Sequence, residues 1–158
     1  MKRVEGRMIR RFISLLCFGT IFIISIVSAV PELSEGEGEG LYIIVNVDNS
    51  IDSVTINQLS RVFNKKVKEF ENGIASLPVA QKSSRPVARE FNRRILKKNA
   101  KQLKYYWARK MFSGSSKPPK YLASDTEVVK FVASVKNAVG YVSQKPNHKN
   151  VKVILIEP

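Results

Sequence analysis

The sequence has few of the residues that carry most enzyme chemistry. Its 158 residues contain one cysteine, Cys17, and one histidine, His148. Cys17 lies within an N-terminal export segment, so the processed chain would hold no cysteine, which excludes structural disulfides and a cysteine nucleophile. His148 lies in a polar turn, where we expect it to be solvated. No histidine, cysteine and carboxylate cluster has metal-ligand spacing, so no metal site is predicted.

Acidic residues are also scarce, and they are unevenly placed. Of 27 basic and 13 acidic residues, five of each precede Leu41, which leaves 22 bases and eight acids in residues 41–158. Those acids form no spaced pair on a shared face, the serines have no recognisable base partner, and there is no phosphate-binding glycine-rich loop. The sequence therefore predicts a protein that is not an enzyme, with no catalytic residue and no cofactor.

The first 29 residues have the parts of a secretory signal peptide. Five bases in residues 2–11 precede an uncharged, mostly apolar stretch, and Val27-Ser28-Ala29 has the pattern of a signal-peptidase site. Such a signal predicts export to the periplasm. The alternative is an uncleaved inner-membrane anchor, because the uncharged run at residues 12–30 is 19 residues long. Lipidation of Cys17 is disfavoured, since that cysteine lies inside the apolar run.

Residues 30–40 carry four glutamates and no base, and glutamate alternates with glycine over residues 35–40. They cannot bury a core, so they are predicted to be a flexible acidic linker. The folded domain is predicted at residues 41–158. Apolar runs there predict buried strands at residues 41–47, 77–80, 138–142 and 151–156. Capping residues and apolar spacing predict helices after Thr55, Ser84, Asn99 and Ser124, and residues 113–123 are predicted to be a loop.

This order of elements predicts a single α/β domain. Strands that alternate with helices and are mostly apolar indicate a sheet covered by helices on its faces. We expect the sheet to be mixed, because the last two strands have only a short connection between them.

The strand, turn and helix at residues 77–96 form the first candidate site. Ser83 and Ser84 are predicted to cap the helix, and Pro86 suits a first helical turn. Backbone N–H groups at such a turn favour an anion. Arg85 and Arg89 would add positive charge beside it. The alternative is an ordinary capped helix without a ligand.

Three segments resemble the phosphate ABC transporter substrate-binding proteins, which have the type II periplasmic-binding-protein fold. They are residues 55–68 (TINQLSRVFNKKVK), the turn at residues 81–85 before Phe91, and residues 124–143 (SDTEVVKFVASVKNAVGYVS). Together they extend over nearly all of residues 41–156. The resemblance implies a mixed sheet flanked by helices and weak binding of phosphate or another small oxyanion, with an ABC permease as a partner.

The chain also departs from that family. Members that capture phosphate have two lobes with a cleft between them, and this chain has the length of one lobe. The anion-binding turn of the family contains aspartate and glycine, whereas the turn here is Lys-Ser-Ser-Arg-Pro. When this turn is matched by position to the turn of the family, Ser83 and Ser84 remain as hydroxyl donors, and Arg85 stands where the family has a small residue. The first anion-binding turn of the family corresponds to Asp48-Asn49-Ser50.

The second candidate site is a basic surface on two consecutive helices. Its residues are Arg93, Arg94, Lys97, Lys98, Lys101 and Lys104. Clustered positive charge of this kind attracts anionic partners. Nucleic acid is disfavoured because the chain carries an export signal. An alternative function is therefore an envelope interaction module that has lost ligand capture and docks a protein complex or an anionic membrane surface through its basic face.

Overall fold

A computed structural model describes residues 40–158. The predicted signal segment, Cys17 and all of the acidic linker except Gly40 lie outside the described residues. The chain forms six strands, β1 (Tyr42–Asn46), β2 (Ser53–Thr55), β3 (Leu77–Gln81), β4 (Lys120–Leu122), β5 (Ala138–Val142) and β6 (Val151–Glu157). Its α-helices are α1 (Ile56–Phe63), α2 (Pro86–Phe91), α3 (Ala100–Phe112) and α4 (Asp125–Ser134), and a π-helical segment (Asn92–Leu96) extends α2.

The domain is α/β with one mixed six-stranded sheet in the order β2-β6-β1-β5-β3-β4, which confirms the predicted fold class. Strand β1 is antiparallel to both of its neighbours, β5 and β6. The other pairs are parallel, so β1 alone runs opposite to the remaining five strands. The sheet is therefore mixed because β1 lies between β5 and β6, not because those two strands pair with each other.

Two short strands were missed by sequence reasoning. Strand β2 pairs with β6 and strand β4 pairs with β3, and each has only three residues. Residues 113–123 are thus not entirely a loop, because their C-terminal part joins the sheet edge. Three residues carry too little periodicity to predict a strand. Their backbone groups are paired by partners that are distant in sequence.

Side chains alternate along the central strands and build a hydrophobic cluster on each face of the sheet. In β1, Ile43 and Val45 face the cluster formed with α1, α2 and α3. Ile44 faces the other cluster, to which α4 contributes Val128 and Val132. The sheet is therefore covered on both faces, as its nearly continuous apolar strands require.

Within residues 40–158, none of the helices combines the length and hydrophobicity that crossing a bilayer requires.

Candidate anion-binding groove

The two candidate sites predicted from the sequence meet in one groove. A cavity of about 460 Å³ lies between the β3–α2 turn, the π-helical segment and the start of α3. It is lined by polar and basic residues together with one alanine: Ser83, Arg89, Asn92, Arg93, Lys97, Lys98, Asn99 and Ala100. No carboxylate is among these lining residues. We call this cavity the basic groove.

The end of the π-helical segment gives the groove its second wall. Lys97 adopts a left-handed conformation with φ of 53°, and the amide of Lys98 donates to Asn92 O at 3.0 Å. The chain then enters α3 through a complete capping box, in which Asn99 and Gln102 satisfy each other's backbone amides. This reversal places Lys97 and Lys98 opposite the turn that carries Ser83.

Arg89 is fixed against that turn. Its Nη1 donates to Ser84 O at 2.6 Å, which leaves most of the five guanidinium donors for other partners. Ser84 is exposed and contributes its carbonyl, whereas the half-buried Ser83 lines the groove. Neither serine caps α2, because the cap residue is Arg85, which makes no side-chain capping bond. The predicted serine caps are therefore wrong.

The cations of the groove are not equivalent. Arg93 makes a two-pronged ion pair with Glu90, with Nη2 at 2.8 Å from Oε1. Lys97 and Lys98 have no acidic partner among residues 40–158. Lys98 Nζ donates to Leu96 O at 3.2 Å and lies 5.2 Å from the centre of the Tyr106 ring. The charge that stays available to a ligand therefore comes mainly from Arg89, Lys97 and Lys98.

The local environment opposes the charge on Lys98. Partial burial, and then the charge of nearby Lys66, lower the pKa of the Lys98 ammonium below its ordinary value. A bound anion would relieve both effects, since it would pair with the ammonium and offset the like charge. The groove thus contains a lysine whose charge an anionic ligand would stabilise.

Arg85 does not line the groove. Its Nε is buried with no hydrogen-bond partner among residues 40–158, and its charge acts on Asp125 at the start of α4. The Asp125 carboxylate accepts hydrogen bonds from Gln81 Nε2 at 2.6 Å and from the amide and hydroxyl of Ser143 at 2.7 and 2.6 Å. The hydrogen-bond donors of Gln81 and Ser143 are therefore already occupied by a carboxylate of the chain itself.

The remaining predicted residues lie outside the groove. Arg94, Lys101 and Lys104 are exposed. The turn at Asp48-Asn49-Ser50 is closed by Asn46 and Asn49, whose side-chain oxygens accept from the amides of Asp48 and Ile51. His148 is exposed, and residues 40–158 hold no group of three or more histidines, cysteines and carboxylates that could bind a metal.

Sequence reasoning missed Asn92 and the reversal at Lys97. In the sequence, Asn92 is one polar residue within the pattern of an ordinary helix. In the structure it is 7% exposed and lines the groove. A left-handed lysine has no sequence signature comparable with glycine. The only available signal was the Asn99–Gln102 capping box, which fixes where α3 begins.

No protein-family model matches the sequence, and no curated protein matches it. Among the solved structures that share its fold are the following three. A putative phosphate ABC transporter substrate-binding protein from Clostridium perfringens, solved with bound phosphate, has 15% identity and a TM-score of 0.59 over 74% of this chain and 44% of its own. A possible phosphate binding protein from Planctomyces limnophilus has 17% identity and a TM-score of 0.56, over 75% of this chain and 41% of its own. PstS from Borrelia burgdorferi has 11% identity and a TM-score of 0.55, over 73% of this chain and 46% of its own.

These similarities show the fold. Residues 40–158 have the architecture of a lobe of the phosphate ABC transporter substrate-binding proteins, as the sequence motifs predicted. The chain spans less than half the length of each of these proteins. The solved neighbours are binding proteins rather than enzymes.

Proposed function

We propose that this protein is exported to the periplasm and binds phosphate or another small oxyanion weakly in the basic groove, for delivery to a membrane transporter. The exported part would be the domain at residues 41–158 with its acidic linker, without a catalytic role. The observation that carries the proposal is the groove itself. Arg89, Lys97 and Lys98 line it together with Ser83, and no carboxylate of residues 40–158 lines the cavity.

The fold supports this proposal, because a solved neighbour of the same architecture holds phosphate. The groove volume of about 460 Å³ is within the range of small-molecule sites, about 300–1,000 Å³. It is open to solvent and formed by one lobe. Water therefore screens the lysines and arginine, and we expect weak affinity that falls with salt.

A calorimetric titration of residues 30–158 with phosphate and with sulfate at low ionic strength tests the proposal. The whole sheet and both hydrophobic clusters lie within residues 40–158, so this fragment contains the complete described fold. The test variant is Arg89→Gln/Lys98→Gln, which removes two charges from the groove. Its matched control is Lys101→Gln/Lys104→Gln, which removes two charges from exposed positions on α3.

We expect saturable binding that is lost in the groove variant and retained in the control. The two serines provide a second test variant and its control. Ser83→Ala should weaken binding, whereas Ser84→Ala should not, because Ser84 contributes only its carbonyl to Arg89. Equal loss in the two charge variants would show that general attraction, not the groove, holds the anion. No saturable binding by the unaltered fragment would reject the proposal.

A second candidate function is supported by a different observation. Residues 91–124 hold ten bases and no acid, and the exposed side of α3 adds aromatic rings to that charge. We propose as an alternative that this basic face docks the domain onto an envelope partner. Docking that survives Arg89→Gln/Lys98→Gln, but falls when charges are removed from α3, would separate this function from anion capture.

A further inference from the structure

Helix α3 has an outer face that its own core packing does not use. Leu103 and Trp107 are buried against the domain. On the opposite side of the helix, five exposed residues follow one another at helical spacing: Lys101, Lys104, Tyr105, Arg109 and Phe112. We call these five residues the outer face of α3.

The two aromatic residues of this face contribute little to the core. The Phe112 side chain is 93% exposed and Tyr105 is 60% exposed. Single exposed apolar residues are common on protein surfaces. Here, however, Phe112 shares one stripe with another aromatic ring and three bases, and α3 contains no acidic residue that would neutralise them.

We infer that the outer face of α3 docks the domain onto an anionic phospholipid surface. The inference rests on the second candidate function and names its partner. Segments that lie in the membrane interface combine bases, which attract anionic lipids, with aromatic or apolar side chains that enter the boundary between headgroups and acyl chains. In this arrangement the Phe112 ring would enter the boundary between headgroups and acyl chains, and the lysines and arginine would contact lipid phosphates.

The side chains suit a lipid surface better than an acidic protein. Lys and Arg can lay their apolar stems along acyl chains while their charged ends stay at the headgroups. The Phe112 ring, at the last position of α3, can enter that layer without a preformed pocket. An acidic protein would neutralise Lys101 and Arg109, but it would leave the Phe112 ring exposed unless it also offered an apolar cavity.

Vesicle binding tests the inference. Residues 30–158 are mixed with vesicles of phosphatidylglycerol and phosphatidylethanolamine, or of phosphatidylcholine alone, and the bound fraction is measured by sedimentation. We expect binding to the anionic vesicles only. Phe112→Ser should weaken it about tenfold, and Lys101→Gln/Lys104→Gln/Arg109→Gln about a hundredfold.

Two control variants match these changes on the other face of the sheet. Leu155 in β6 is 72% exposed, so Leu155→Ser removes an exposed apolar side chain away from α3. Lys130→Gln/Lys136→Gln/Lys149→Gln removes three exposed charges from α4 and the following segments. We expect both controls to bind anionic vesicles within about twofold of the unaltered fragment, because they leave the outer face of α3 intact.

A site-specific probe distinguishes insertion from charge attraction. Residues 30–158 contain no cysteine, so Phe112→Cys and Leu155→Cys can each carry one environment-sensitive fluorophore. Anionic vesicles should shift the emission of the label at position 112 to shorter wavelength and leave the label at position 155 unchanged. Phosphate titration of the outer-face charge variant should match the unaltered fragment, which separates this inference from the function of the groove.

Three results would overturn the inference. The first is equal binding to anionic and phosphatidylcholine vesicles, or no binding to either. The second is binding to anionic vesicles that Phe112→Ser does not weaken and that leaves the emission of the label at position 112 unchanged. Charge alone would then hold the domain. The third is binding to anionic vesicles that Lys101→Gln/Lys104→Gln/Arg109→Gln does not weaken, since the bases of the outer face would then make no contact with lipid phosphates.

Discussion

Asp125 Oδ2 accepts two hydrogen bonds from Ser143, one from its amide nitrogen at 2.7 Å and one from its hydroxyl at 2.6 Å. Asp125 is the first residue of α4, and Ser143 directly follows β5. The other carboxylate oxygen accepts from Gln81 at the end of β3. One carboxylate therefore joins the start of a helix to the ends of two strands. It occupies hydrogen-bond donors that could otherwise bind a free anion.

The first prediction is that Asp125 makes stability depend on pH. Burial raises the pKa of Asp125, but hydrogen bonds from Ser143 and Gln81, and the charge of Arg85, lower it below the ordinary aspartate value. Because the pKa of Asp125 is lower in the folded state, its ionised carboxylate stabilises the fold at pH values above the aspartate pKa of the unfolded chain. This contribution is lost as pH falls through the pKa of the folded state. Urea unfolding from neutral pH to about pH 3 should show this loss.

Asp125→Asn should be less stable than the unaltered domain at neutral pH, and the difference should shrink with acidification. Glu71→Gln is the control, because Glu71 is exposed and its side chain makes no hydrogen bond among residues 40–158. A stability difference between Asp125→Asn and the unaltered domain that stays constant over the same pH range would contradict the assignment.

The second prediction concerns Asn46, which closes the other end of α4. Its Nδ2 donates to Val132 O at 2.9 Å and to Ala133 O at 3.0 Å, and Asn46 is 5% exposed. These carbonyls belong to the last turn of α4, where a helix runs out of its own amides, and the Val135 amide reaches Val132 O only at 3.4 Å. Asn46→Ala should therefore lower the free energy of unfolding by about 2 kcal/mol, as measured by urea denaturation.

Asn46→Asp provides a sharper comparison for the same contact. It keeps the size of the side chain, but it replaces the donor with a carboxylate beside the negative end of the helix dipole. At neutral pH it should destabilise the domain at least as much as Asn46→Ala. An aspartate variant as stable as the unaltered domain would show that the amide donor is not needed.

The features that could be read from the sequence are those encoded locally. Strand β5 lies at residues 138–142, as predicted, and the Asn99–Gln102 capping box forms both of its hydrogen bonds. Val87, Phe91 and Ile95 are buried on one face, as their spacing predicted. Capping and periodicity act over a few residues, so they can be recognised without knowledge of the tertiary fold.

The features that were missed depend on residues far apart in sequence. Strand β2 exists because Val54 pairs with Ile156 across the sheet edge. The basic groove unites two predicted sites because Lys97 adopts a left-handed conformation after a π-helical segment, and neither feature has a reliable sequence signal. Arg85 does not line the groove with Arg89, and its charge acts instead on Asp125, forty positions later in the chain.

The third prediction is that β5 needs glycine at position 140. A Cβ at Gly140 would lie 2.6 Å from Val128 Cγ1 and 3.2 Å from Val79 Cγ2. Both valines are fully buried, so Gly140→Ala should cost about 1–3 kcal/mol through overpacking. Thermal and urea unfolding measure this change.

A double-mutant cycle tests whether Val128 causes that cost. Val128→Ala alone removes buried methyl groups and should also destabilise the domain. In Gly140→Ala/Val128→Ala, however, the new methyl group occupies space that the valine left. The double variant should therefore be more stable than the sum of the two single changes predicts. Strict additivity would exclude contact with Val128 as the source.

The last prediction is that anion binding in the basic groove is linked to protonation of Lys98. Partial burial and the charge of Lys66 lower the pKa of Lys98, and an anion bound beside the ammonium would raise it again. Binding would then take up a proton, and affinity would fall as pH rises through the lowered pKa of the free protein. Calorimetry of phosphate binding in buffers with different ionisation enthalpies measures that uptake directly.

Lys66→Gln separates this linkage from a general loss of positive charge. Removing the Lys66 charge should raise the pKa of Lys98, so the decline in affinity should begin at higher pH. Lys101→Gln removes the same charge from an exposed position on α3 and should leave the onset unchanged. If Lys66→Gln and Lys101→Gln shift the onset equally, the titration reflects the overall charge of the domain. Lys98 would then have no specific part in holding the anion.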